Sequence, residues 1–403
     1  MSVEYLNPFE YEGANYLTIE EILDYYIEDF NYSRFLQSHR NIFLVGERGT
    51  GKTMTLLYNS AKVQYAKAKR ERKEFKFNNI GVHIPCKSPL FDKREYLLLE
   101  NDFYSSILSE HYLVLSIVYS ISSALNGFEE IVNDLENLKI NIKKEFEYLF
   151  SVKLKGANYF EGINNFVNKE VVKTQIKSNN IQNEELYEND LTFSSFIIPF
   201  INNLKKLPKL KDSHFSLMID DAHDLNSFQI RNLNSWISYR DHKDFSFKVA
   251  SAKVDKPKLV TSTGGSILEG HDFTEIEMEK HFYSKAADFA KMAKKIIERR
   301  LEKVNIKSSA YKFFPINSSF EKDLLESEKI IYDEAKKKYK DEKKIYYYVY
   351  KYGRAEYFRN RNPKSNLPPY SGLDTIIDIS TGVIRNLLDP CYWMFDAVVS
   401  ESG

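Results

Sequence analysis

Cysteine is nearly absent: two residues, Cys86 and Cys391, stand far apart in a chain of 403. That excludes a disulfide scaffold and a cysteine-built zinc site, and it fits a reducing cytosol. Net charge is absent too, 57 basic residues balancing 57 acidic ones, so any affinity for nucleic acid has to be local. Long hydrophobic runs are missing. The longest, residues 112–121, carries Ser116 and is too short to span a bilayer, so no membrane partner is expected. Residues 1–13 are acidic and aromatic, without the basic and apolar regions of a signal peptide. A cytoplasmic protein is the expectation. No internal repeat, H-E-x-x-H zinc helix or nucleophile elbow occurs. What is present is an apolar fraction of 43%, enough for one large α/β domain with attachments or for two domains.

Short apolar runs alternate with helical patterns. Thr18 with Glu21 reads as a capping box opening a helix over 19–30. Asn41-Ile-Phe-Leu-Val45 reads as a buried strand, followed by a turn and a helix over 52–69. Further strands are expected at 80–84, 215–219, 245–252 and 273–278, with helices at 101–125, 227–239 and, capped by Ser284, up to about 303. Residues 257–270 form a loop holding Gly264, Gly265 and Gly270. Such alternation predicts a mainly parallel, doubly wound sheet. Residues 127–212 read as an inserted helical subdomain interrupted by the polar run 178–189. The strand signal ends near 305, which divides the chain into a core, 1–304, and a helical region, 305–403.

Gly46-Glu-Arg-Gly-Thr-Gly51-Lys52-Thr53 matches G-x-x-x-x-G-K-[ST] in full, between a strand and a helix as that pattern demands. The glycines let backbone N–H groups turn inward around phosphates. Lys52 reaches the β- and γ-phosphates, Thr53 offers a hydroxyl to Mg²⁺, and the helix N-terminus favours the same negative charge. Gly46, Glu47, Arg48, Gly49, Thr50, Gly51, Lys52, Thr53 and Met54 are therefore the expected contacts of a purine nucleoside triphosphate, ATP with Mg²⁺.

Such a loop needs a carboxylate on a neighbouring strand, and Phe215-Ser-Leu-Met-Ile-Asp220-Asp221 supplies one. Asp220, directly after the apolar run, is the metal-side residue. Asp221 is either the base that activates water or a cap for the next turn; it is one methylene shorter than a glutamate, which predicts slow hydrolysis. His223 reads as a local hydrogen-bonding residue. Ser251 is the expected polar tip of the next strand, with Lys248 second, and both also fit the exposed side of an edge strand.

In this order the motifs resemble an AAA+ P-loop ATPase of the origin-recognition/initiator-like clade and its bacterial relatives, with similarity to STAND-type signalling ATPases. Four stretches carry the resemblance: residues 46–53; Leu217-Met-Ile-Asp-Asp-Ala-His-Asp-Leu225; His271-Asp-Phe-Thr-Glu-Ile-Glu-Met-Glu279; and Ser380-Thr-Gly-Val-Ile-Arg385-Asn-Leu-Leu388. The last is similar to a lid motif, sensor 2, whose arginine meets the γ-phosphate; Arg385 stands there, with a surface or salt-bridged arginine as the other reading. The resemblance implies an α/β P-loop NTPase fold with a helical insertion and a C-terminal helical lid, ATP hydrolysis, and homo-oligomers. It also implies work beside an effector protein or nuclease, as in phage defence. Asp221 departs from the usual glutamate. Arg231 and Arg240 are weak arginine-finger positions, better read as exposed helix arginines, and without a finger a monomeric or dimeric switch gains weight. A winged-helix or other further C-terminal domain is expected to be absent or truncated.

Residues 336–364 carry eleven Lys or Arg against three acids, a net charge of +8, interleaved with eight aromatic residues. Cations neutralise phosphates and aromatic rings stack on bases, so nucleic acid is one reading, with Arg354, Arg359 and Arg361 its first residues. Tyrosines packed on a core beneath snorkelling lysines, or an acidic protein partner, are the others.

Overall fold

The structure is a computed structural model that describes residues 6–10, 13–28, 32–86, 102–137, 140–179, 190–239, 243–254, 258–279, 286–360 and 371–402. Five strands, β1 (Ile42–Gly46), β2 (Asn79–Pro85), β3 (His214–Asp220), β4 (Phe245–Ala252) and β5 (Thr274–Glu277), form one sheet in the order β2-β3-β4-β1-β5. Every pairing is parallel, as the strand–helix alternation requires. β1, β3 and β4 are buried along their whole length, which explains why they read as continuous apolar runs rather than alternating ones. All five strands lie within a residue or two of their expected positions.

Two expected helices are shorter than their periodicity suggests. The capping box of Thr18 and Glu21 forms, but the helix ends at Tyr25. Tyr26 turns to extended backbone and stacks its ring on Tyr58, 3.9 Å between centroids. The helix after the glycine loop breaks into Lys52–Tyr58 and Ala61–Arg70. At the break, the Asn59 and Ser60 side chains donate to the carbonyls of Thr55 and Leu57, and Gly81 of β2 leaves space for the Asn59 carbonyl.

Helices Glu129–Glu136, Ile140–Phe150, Tyr159–Asn179 and Ile198–Leu204 fill the insertion. They pack into the core of the sheet. Phe128, Phe146, Phe160, Phe193 and Phe200 belong to the same continuous core as Phe43, Val82 and Leu217 of the sheet. Helix Asp102–Leu125 packs against both β2 and Tyr159–Asn179. Its segment Ser105–Leu125 is, by length and composition, long and apolar enough to cross a membrane, longer than the ten-residue run suggests; 72% of it is buried in this core.

The chain divides into two compact units, Tyr11–Ser284 and Met1–Glu10 with Lys285–Gly403. The division thus falls before helix Ala286–Lys303 rather than after it. That helix packs on Ala310–Phe313 and Leu373–Ser380, and Arg300 donates to the carbonyls of Pro8 and Glu10. Phe9 sits among Phe313, Phe314 and Phe395, so the N-terminal segment belongs to the second unit. In that unit Ser318–Lys338 and Glu342–Asn360 form a helical hairpin, and Leu373–Ser380 turns into Ile384–Ser402 through Thr381 and Gly382, both at positive φ.

Candidate functional site: the phosphate loop and its acidic strand

β1 ends at Gly46, and within five residues the chain has reversed into helix Lys52–Tyr58. Gly49 and Gly51 make that reversal at φ 92° and 93°, a region costly for any residue with a Cβ. A Cβ on Gly46 would stand 2.8 Å from Thr50 Oγ1, so this position is sterically reserved for glycine. Thr50 Oγ1 donates to the Glu47 carbonyl at 2.9 Å and closes the loop on itself. Arg48 is exposed. The Met54 side chain packs against Ile22, Tyr26, Tyr58 and Val63, which leaves its backbone as the part a phosphate could meet.

Lys52 is buried, and its Nζ donates to the carbonyls of Gly46 (2.7 Å) and Glu47 (2.9 Å). Burial pushes the Lys52 ammonium below its ordinary value, and the charges of Asp221, Glu279, Asp220 and Glu47 oppose that shift. One ammonium thus faces four carboxylates. Thr53 Oγ1 lies 3.3 Å from Asp220 Oδ1, although the two residues are 167 apart in sequence. The other Asp220 oxygen is 2.9 Å from His83 Nε2. Asp221 donates its N–H to Asp220 Oδ1 and takes left-handed backbone, φ 54°, as the chain leaves β3.

A hydroxyl and a carboxylate facing one another beside an excess of negative charge are the hard oxygen donors that a magnesium ion takes. The residues present therefore fit a nucleoside triphosphate with Mg²⁺: Thr53 and Asp220 would hold the cation, and Lys52 with the loop amides would hold the phosphates. Bound there, the cation would neutralise charge on the phosphate oxygens.

A family model described as ORC-CDC6-like matches residues 7–403. The chain belongs to the ORC-CDC6-like family. Membership makes it a relative of the AAA+ nucleotide-binding ATPases, and its α/β P-loop fold with a helical C-terminal region agrees. No curated protein and no solved structure matches the chain.

Two residues of this ORC-CDC6-like site are not apparent from its motifs. His83, the one titratable residue of β2, is the partner of Asp220; its only sequence signal is a polar residue inside an apolar strand. Glu279, which closes the third family stretch, is buried; its Oε1 accepts the Glu47 N–H, while Oε2 has no hydrogen-bond partner among the described residues. Glu279 thereby ties the end of β5 to the phosphate loop.

The remaining expected residues divide. Ser251 is fully buried opposite Val45, one residue before Gly46, and its hydroxyl meets the Ala252 carbonyl at 3.3 Å. Lys248 does not belong to the site. It pairs with Ile42 at the start of β1, at the other end of the sheet, and its Nζ donates to the carbonyls of Ser38 and Arg40. His223 has the local role expected, accepting the Ala252 N–H at 3.4 Å. Arg231 is exposed over the Phe228 ring, and Arg240 lies outside the described residues. Arg385 stands in the first turn of Ile384–Ser402, in the second unit. Arg354 is exposed, Arg359 pairs with Glu356 at 2.6 Å, and Arg361 lies outside the described residues. Both cysteines are free, and burial pushes each thiol up, Cys391 to about 12, so neither is poised as a nucleophile.

Proposed function

We propose that the chain binds ATP with Mg²⁺ at residues 46–53, hydrolyses it slowly, and uses the nucleotide state to remodel or activate a nucleic-acid or protein partner. The observation that carries this reading is the convergence of Lys52 and Thr53, which follow β1, with Asp220, which ends β3, at one end of a buried parallel sheet. In it Lys52 binds the β- and γ-phosphates, Thr53 and Asp220 hold the cation, and Asp221 orients or deprotonates the attacking water. Ser251 lines the same end of the sheet. Arg385 is assigned to reading the γ-phosphate, and homo-oligomers are the proposed assembly.

The test is steady-state phosphate release with and without single- and double-stranded DNA and RNA. Turnover that is stimulated by a nucleic acid, lost in Lys52→Ala and strongly reduced in Asp221→Asn supports the proposal. Tight nucleotide binding with no turnover overturns the hydrolytic part. Asp221, shorter than a glutamate, favours one second reading, a nucleotide-gated switch of the STAND kind. A change of mass on a sizing column between ADP and a non-hydrolysable ATP analogue, without turnover, would select it.

A further inference from the structure

The helical hairpin of the second unit has an outer face that its own packing does not explain. Glu342–Asn360 buries Ile345, Gly353 and Tyr357, and a Cβ on Gly353 would stand 2.8 Å from Glu328 Cγ, so this is the side turned to Ser318–Lys338. The opposite stripe, at helical spacing, is Lys343, Tyr347, Tyr350, Arg354 and Phe358, every one exposed. An outward helix face is ordinarily polar throughout. Here Tyr346, Tyr347 and Tyr350 are 67%, 68% and 78% exposed, which rules out packing as the reason for them.

We infer that this face of Glu342–Asn360, with the exposed Tyr346 at its flank, binds single-stranded nucleic acid, one base lodging between the rings of Tyr346 and Tyr350. These rings lie 6.5 Å apart, centroid to centroid, and 18° from parallel. Two van der Waals contacts of about 3.5 Å need roughly 7 Å, so a small side-chain rotation admits a flat ring. Lys343, Lys344, Lys351 and Arg354 flank the pair with positive charge for the phosphates. A duplex keeps its bases stacked on each other and offers these rings no face, whereas a single strand does. An acidic peptide would satisfy the cations but leave three rings in water on a convex surface. The inference rests on the partner half of the proposed function and names its chemistry; it does not depend on ATP hydrolysis.

The experiment is fluorescence anisotropy of the full chain with a labelled oligothymidylate of about 20 nucleotides, longer than the roughly 4–16 that one stacking surface covers. Competitors are the corresponding duplex and polyglutamate. Tyr346→Ala with Tyr350→Ala is expected to weaken binding roughly tenfold or more, and Tyr346→Phe with Tyr350→Phe to retain it, because the ring and not the hydroxyl makes the contact. The duplex should compete weakly and polyglutamate hardly at all. No binding at low salt, equal binding of duplex, indifference to the alanine pair, or polyglutamate competing as well as the oligonucleotide would each overturn the inference, the last in favour of a protein partner. Fluorescent ATP-analogue binding, measured on the same samples, separates this outcome from failure of the nucleotide site.

Discussion

In the proposed site, Lys52 is the residue on which nucleotide affinity would depend most directly, because it is buried, cationic and already aligned with the loop carbonyls. Lys52→Ala is expected to weaken ATP-analogue binding roughly 10- to 100-fold, the value of one hydrogen bond to a charged group, as measured by fluorescence titration. His83 acts one step back. Its ring N–H donates to Asp220 and aims the carboxylate, so His83→Ala should raise the Mg²⁺ concentration needed for nucleotide binding by about 10- to 100-fold. A magnesium titration at fixed nucleotide checks it.

At the other end of the sheet His214 stacks on His39, and its two nitrogens meet the Lys243 carbonyl and the Ser246 hydroxyl. Burial pushes its ring from 6.5 down to about 4; the Lys243 carbonyl opposes this, and the neighbouring His39, Lys248 and Lys205 add to it. Between those two values the unfolded chain binds a proton that the folded chain refuses. Stability therefore falls as pH drops through that window, and is unaffected by this group above it. Thermal melts at neutral pH and near pH 4.5 should show a smaller drop in His214→Gln than in the unsubstituted chain.

Among the elements, the broken helix after the phosphate loop is the one most exposed to a single change. β2 approaches the break so closely that a Cβ on Gly81 would stand 2.4 Å from the Asn59 carbonyl and 2.6 Å from Met218 Cε. The carbonyl belongs to backbone and cannot swing aside. Gly81→Ala is therefore expected to destabilise the fold by about 1–3 kcal/mol, read as a lower urea midpoint. The element boundaries also show where periodicity stops being informative. Residues 52–69 have an unbroken helical pattern, and nothing local announces that Asn59 and Ser60 will spend their side chains on carbonyls instead. β1, β3 and β4 were legible for the opposite reason: burial on both faces leaves a continuous apolar run.

For the whole molecule, the residues proposed to hold the nucleotide are divided unequally between the two units. The loop, Asp220 and Asp221 all belong to Tyr11–Ser284. Calorimetry should resolve the units as separate transitions, with Mg-ATP raising the one from Tyr11–Ser284. Ligand at 100 times its dissociation constant should stabilise that unit by about 2.7 kcal/mol, and Lys52→Ala should remove the shift. A single transition, or a shift that survives the substitution, would count against this assignment.

The sequence alone determined the parallel α/β fold, the phosphate loop and the acid at the end of β3. Each is written in contiguous residues: a fully buried strand is an apolar run, and a loop that must turn N–H groups inward needs glycines at set positions. Only the tertiary structure decided which acids and bases share the site. His83 and Glu279 meet Asp220 and Glu47 across strands far apart in the chain, a juxtaposition no local pattern encodes. Strand register decided that Ser251, opposite Val45, lies beside the phosphate loop while Lys248, three residues earlier, lies at the far end. Shared packing made the inserted helices part of the sheet's own core. And the helical hairpin showed that the tyrosines of 336–364 are split between a packed side and an exposed one, which composition could not distinguish.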